Sequence, residues 1–68
     1  MIRITITSIK VDSSFVEEHA GFVEGETAYY VIRESGKRLS VYYENENDAL
    51  QCAWSMVKHF GLTLVEPW

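Results

Sequence analysis

Sixty-eight residues allow one domain, 1–68, whose core supplies only roughly 3–5 kcal/mol of net stability. A single cysteine excludes an intrachain disulfide, and Cys52, His19 and His59 are too few and too scattered for closed zinc ligation, so neither cofactor nor metal is expected. A hydrophobic content of 47% with one proline and four glycines excludes a disordered chain, and the net charge of −4 argues against non-specific binding to nucleic acid.

Residues 1–11 read as a strand. Ile2, Ile4 and Ile6 alternate with Arg3, Thr5 and Thr7, and the apolar phase then flips to Ile9 and Val11. A bulge or bend near Thr7 and Ser8 would reconcile the two halves. Residues 12–26 read as irregular. One helical turn is allowed by a capping box from Ser14 to Glu17 and a stop at Gly21, with a short strand over 15–18 as the alternative. Phe22 and Val23, bracketed by Gly21 and Gly25, are expected to tuck inward.

The clearest local signal is a β-hairpin with arms 27–34 and 37–44, rich in β-branched and aromatic residues and joined by Ser35 and Gly36. A two-residue loop sets Arg33 opposite Arg38, Ile32 opposite Leu39, Tyr29 opposite Tyr42 and Ala28 opposite Tyr43. One face then carries Ala28, Tyr30, Ile32, Leu39, Val41 and Tyr43, apolar throughout, and is expected to meet the helix. The other carries Tyr29, Val31, Arg33, Arg38, Ser40 and Tyr42.

A helix over about 47–60 follows, capped by Asn45 or Asn47 and ended by Gly61. Ala49, Leu50, Ala53, Met56, Val57 and Phe60 share its apolar arc, while Cys52 and His59 lie toward the polar side. Residues 62–65 read as a closing strand stopped by Pro67. The expected fold is α+β: a small, mainly antiparallel sheet of 3–4 strands with one helix packed on one face.

No residue set forms a catalytic motif. His19 beside Glu17 and Glu18 has no nucleophile placed near it, and Ser35, Gly36 and Lys37 form a hairpin turn rather than a phosphate loop. The expectation is therefore a protein without enzymatic activity. Tyr29, Arg33, Arg38 and Tyr42 on the outer hairpin face are residue types enriched at binding hot spots, and the like charges of Arg33 and Arg38 invite an anionic partner. Glu17, Glu18, Glu24 and Glu26 make the 12–26 segment a second candidate contact surface. Trp68 and Trp54 are further candidate anchors.

The stretch 29–66 resembles small phage-encoded inhibitors of bacterial RNA polymerase. The likeness lies in an aromatic-rich strand ending at Tyr43, an acidic helix start at Asn45, Asp48, Ala49 and Leu50, Trp54 in mid-helix, and the closing run 61–65. The closing strand departs from that family by carrying Thr63, Val65 and Glu66 in place of basic interface residues, so no interface residue is carried over. Size and charge also resemble those of anti-CRISPR proteins. The resemblance implies a non-enzymatic, phage-type inhibitor that blocks a bacterial protein or complex, such as RNA polymerase or a CRISPR-Cas assembly, by surface occlusion. The alternatives are a homodimeric housekeeping domain whose uncovered sheet face is its own interface, and a single-stranded nucleic-acid binder using Tyr29 and Tyr42. Nucleic acid is the weaker partner because the charge is negative. The expected location is the cytoplasm, and the host's cytoplasm for a phage protein: the lone cysteine suits a reducing compartment, the start lacks a signal-peptide apolar region, and no membrane partner is implied.

Overall fold

A computed structural model describes residues 2–65; Glu66, Pro67 and Trp68, including the stop and the anchor expected there, lie outside the described residues. The elements run β1 (Arg3–Lys10), α1 (Ser13–Glu18), β2 (Thr27–Arg33), α2 (Glu46–Phe60) and β3 (Thr63–Leu64). The sheet order is β2-β1-β3, with β1 antiparallel to β2 and parallel to the short β3. The fold is thus α+β as expected, with a mixed sheet of three strands and one long helix on one face.

Strand β1 shows no bulge. Its ladder with β2 runs without interruption from Ile4 opposite Arg33 to Lys10 opposite Thr27, and Val11 N–H continues it to Glu26 O at 2.8 Å. The flip in apolar phase has another cause: the layer that covers the sheet changes sides. Ile4 and Ile6 point to α2 and pack with Val31, Ala49 and Ala53. Val11 points the other way, where α1 lies, and packs with Phe15 and Ala28. A pleated strand presents alternate residues to alternate faces, so two covers on opposite faces require two phases and no irregularity.

Helix α1 realises the helical turn allowed in the irregular segment 12–26 and extends it to Ser13–Glu18, while residues 19–26 remain without helix or strand. Its N-cap is Asp12 rather than Ser14, with a carboxylate oxygen accepting from Phe15 N–H at 2.8 Å. Phe22 is half-buried as expected, but Val23 is exposed. Gly25 N–H bonds back to Val11 O at 2.9 Å and ties this segment to the end of β1.

The hairpin is present with a different loop and register. Gly36 N–H closes a turn onto Arg33 O at 2.8 Å, and Arg33 N–H bonds Lys37 O at 2.9 Å. The loop therefore holds three residues, 34–36, with Gly36 at φ 96° supplying the left-handed position such a loop needs. Beyond it the second arm is not a strand. It touches β2 at two isolated bridges, Arg38 with Ile32 and Tyr43 with Tyr29. Between these points the second arm runs longer than the first, and the Ser40 side chain fills the gap, its Oγ accepting from Val31 N–H at 2.8 Å.

This register turns the first arm over, while Leu39 and Tyr43 of the second arm stay on the helix face as expected. Tyr29, Val31, Leu39 and Tyr43 pack toward α2, whereas Ala28 belongs to the α1 side. The expectation failed because the run 28–32 is apolar at every position, being covered on both faces, so alternation could not choose between them.

Helix α2 follows the sequence closely. Asn45 Oδ1 accepts from Asp48 N–H at 2.9 Å, and Asn45 Nδ2 donates to the Asp48 carboxylate at 2.9 Å. Gly61 ends the helix at φ 68°, its N–H bonded to Val57 O at 3.1 Å. Ala49 and Ala53, one turn apart, are fully buried, and their small side chains let the helix sit directly on Ile4, Ile6 and Val31. Two details depart from expectation. Cys52 is half-buried against the core, and Phe60, on the apolar arc, is 73% exposed.

Candidate interaction surface

The richest side-chain cluster lies on the face of β2 turned away from α2. Tyr42 is its hub. Its ring meets Phe15 at 4.8 Å, His19 at 4.8 Å and Tyr30 at 5.0 Å between centroids, all in steep edge-to-face orientations. Phe15 in turn meets Phe22 at 5.2 Å and 90°, and His19 at 4.6 Å. Such offset and edge contacts satisfy the ring quadrupoles and stiffen the cluster. Arg38 completes it, with the guanidinium carbon 4.6 Å from the Tyr42 centroid and Nη1 donating to Ser40 O at 2.8 Å. The cation thus lies over a ring while remaining in water.

Each member reaches this place for a local reason. The Asp12 cap starts α1 so that Phe15 faces Ala28 and Val11, and His19 follows one turn later on the same side. Tyr42 precedes Tyr43, which is held to Tyr29 by two backbone hydrogen bonds of 2.9 and 2.7 Å and faces α2; adjacent residues point to opposite sides. His19, Ala20, Phe22, Arg38, Val41 and Tyr42 line a shallow recess of about 300 Å³, and Val41 at its rim is 63% exposed.

The structure separates the residues that the sequence put together. Arg38 and Tyr42 are neighbours. Tyr29 lies on the opposite face, packed on the main core, so Tyr29 and Tyr42 form no common stacking platform. Arg33 is paired in register with Ile4, on the α2 side, and lines a separate hollow with Ile2, Arg3, Glu34 and Ser35. Arg33 and Arg38 do not face one another, and the expected repulsion between them is absent from this register. Glu17 and Glu18 are exposed on α1 next to His19, and Glu24 and Glu26 are exposed in the loop before β2. His19, Phe22 and Val41 were missed as members of the surface. Phe15 and His19 are one helical turn apart, a signal visible only once 13–18 is read as a helix.

On the other side of the sheet, hydrogen bonding toward the Cys52 thiol, burial and the nearby Asp48 carboxylate push the Tyr43 phenol above the ordinary value of about 10. Among the described residues no three His, Cys, Asp or Glu side chains gather to hold a metal ion, and no helix is long and apolar enough to cross a membrane. No protein-family model, curated protein or solved structure matches the chain.

Proposed function

We propose that the protein is a non-enzymatic protein-binding module that docks through the surface around Tyr42 and acts by covering part of its partner. One observation carries this reading: the Tyr42 ring is braced by three aromatic neighbours and one cation beside an exposed valine. A ring fixed in advance loses little freedom on binding, and Tyr and Arg are the side chains that dominate interface energetics. The recess takes an apolar side chain of the partner against Phe22 and Val41. Arg38 favours a carboxylate beside it, and Glu17 and Glu18 favour a basic rim further out.

The finer reading is a phage-type inhibitor of a bacterial host or defence complex, such as RNA polymerase or a CRISPR-Cas assembly, working in the host cytoplasm. Its support is the resemblance of 29–66 to such inhibitors and the net charge of −4. The test is affinity capture from bacterial lysate with wild type and Val41→Asp, followed by reconstitution with the purified partner. The reading predicts a partner whose affinity falls at least about tenfold with Val41→Asp, because the new carboxylate would be buried against the partner's apolar side chain. A partner bound equally well by both, or no partner at all, refutes it.

A further inference from the structure

The outer flank of α2 carries a protrusion and a recess on one face. Phe60 protrudes, with 73% of its surface in water at the C-terminal end of the helix. The recess, about 550 Å³, is bounded by Tyr43, Asp48, Cys52, Ser55 and Met56 and runs along the helix to Phe60 itself. From these we propose that this flank is the interface of a two-fold symmetric homodimer. Phe60 of each copy fills the Tyr43–Asp48–Cys52 end of the recess in the other.

A two-fold interface uses the same patch on both copies, so the patch must complement itself when turned end for end. This one does. Phe60 lies about 18 Å along the helix from Asp48 at a rise of 1.5 Å per residue, so an axis passing midway sets each protrusion over the opposite recess. Near the midpoint this flank carries Cys52, Ser55 and Met56, none of them charged, with Gln51 alongside, so no like charges meet at the axis.

Charge selects the same arrangement. The first turn of α2 carries Glu46 and Asp48, and the last carries Lys58 and His59. Asp48 and His59 fall nearly on one line of the helix, about three turns apart at 3.6 residues per turn. Antiparallel pairing sets Asp48 of one copy toward Lys58 and His59 of the other, twice over, and opposes the two helix dipoles. Parallel pairing would set acid on acid and base on base.

The Tyr42 surface lies on the opposite side of the sheet and stays open, so the dimer presents two copies of it. The dimer proposal does not depend on what that surface binds.

Sedimentation equilibrium of the full chain over about 1–300 µM tests it, a range in which association of this kind is concentration-dependent. The expected mass at the upper end is twice the 7.8 kDa of one chain. Phe60→Ser and Ser55→Arg, both at exposed positions, each weaken association at least about tenfold while the far-ultraviolet circular dichroism is unchanged. Val41→Asp leaves association as it is. A monomer at every concentration overturns the proposal. So does a dimer that survives either α2 variant, or one that Val41→Asp dissociates.

Discussion

Ser40 is where the structure makes its most specific claim about stability. Val31 is 0% exposed, and its N–H has the Ser40 hydroxyl as acceptor at 2.8 Å, where a regular hairpin would offer a backbone carbonyl. The same hydroxyl donates to Val41 O at 2.8 Å. Ser40→Ala removes one oxygen and leaves a buried donor unpaired, at a cost of about 1–3 kcal/mol. Water reaching the half-buried position 40 sets the lower end of that range. Against a total of roughly 3–5 kcal/mol for so small a core, the loss is a large fraction. At 4–8 °C per kcal/mol, the melting temperature falls by roughly 5–20 °C. Urea denaturation reads the difference as a shift in midpoint at constant slope, and amide exchange reads it locally as faster exchange at Val31. Ser40→Thr, which keeps the hydroxyl, loses much less. A Ser40→Ala variant within about 0.3 kcal/mol of wild type, with Val31 as protected as before, would refute the idea that a side chain closes the register gap.

Three further outcomes are expected. Gly61→Ala destabilises by about 1 kcal/mol in thermal or urea melts, because φ 68° is left-handed; nothing lies within 4 Å of the added methyl, so the cost is backbone alone. Ala53→Leu forces extra methylenes between α2 and the sheet at a fully buried position and costs about 1–3 kcal/mol or more, whereas the same change at exposed Gln51 is near neutral. Raising the Tyr43 pKa on folding gives stability that is present below about pH 10, the phenol's ordinary value, and is lost as pH climbs through the folded value. Wild type therefore loses stability relative to Tyr43→Phe above about pH 10 in urea melts, and a constant difference between the two across pH 9–11 would sink that account.

Legibility varied along the chain with the number of faces each segment buries. Helix α2 has one buried face, so its apolar arc, its Asn45 cap and its Gly61 stop were readable, and only half-buried Cys52 and the overhanging Phe60 escaped. Strands β1 and β2 are covered on both sides at different points along their length. There the apolar pattern reports two covers superposed: the phase flip at Ile9 mimicked a bulge, and the unbroken run 28–32 hid which residues faced α2. The hairpin loop was ambiguous for a separate reason. A glycine with positive φ serves both a two-residue loop and the third position of a three-residue loop, so Ser35 and Gly36 fixed where the turn was but not its length. In α1, Asp12 and Ser14 are both good caps, and only the packing of Phe15 against Val11 and Ala28 selects Asp12.

The site followed the register. Arg38 and Tyr42 were identifiable by type and remain together, because both lie on the irregular arm and are joined by a short cation–ring contact of 4.6 Å. Tyr29 and Arg33 were grouped with them only through the two-residue loop, and the extra loop residue alone carries them to the opposite face. The second arm keeps the sides expected of it, and this gives the molecule its functional geometry. Tyr43 faces Cys52 and α2, where it walls the recess that Phe60 of a second copy would fill. The adjacent Tyr42 faces the α1 side, where Phe15, His19 and Tyr30 hold it. Two neighbouring tyrosines thus belong to two different surfaces, one suited to self-association and one to a foreign protein. Strand pleating ensures that a single residue of slippage in this arm would exchange them.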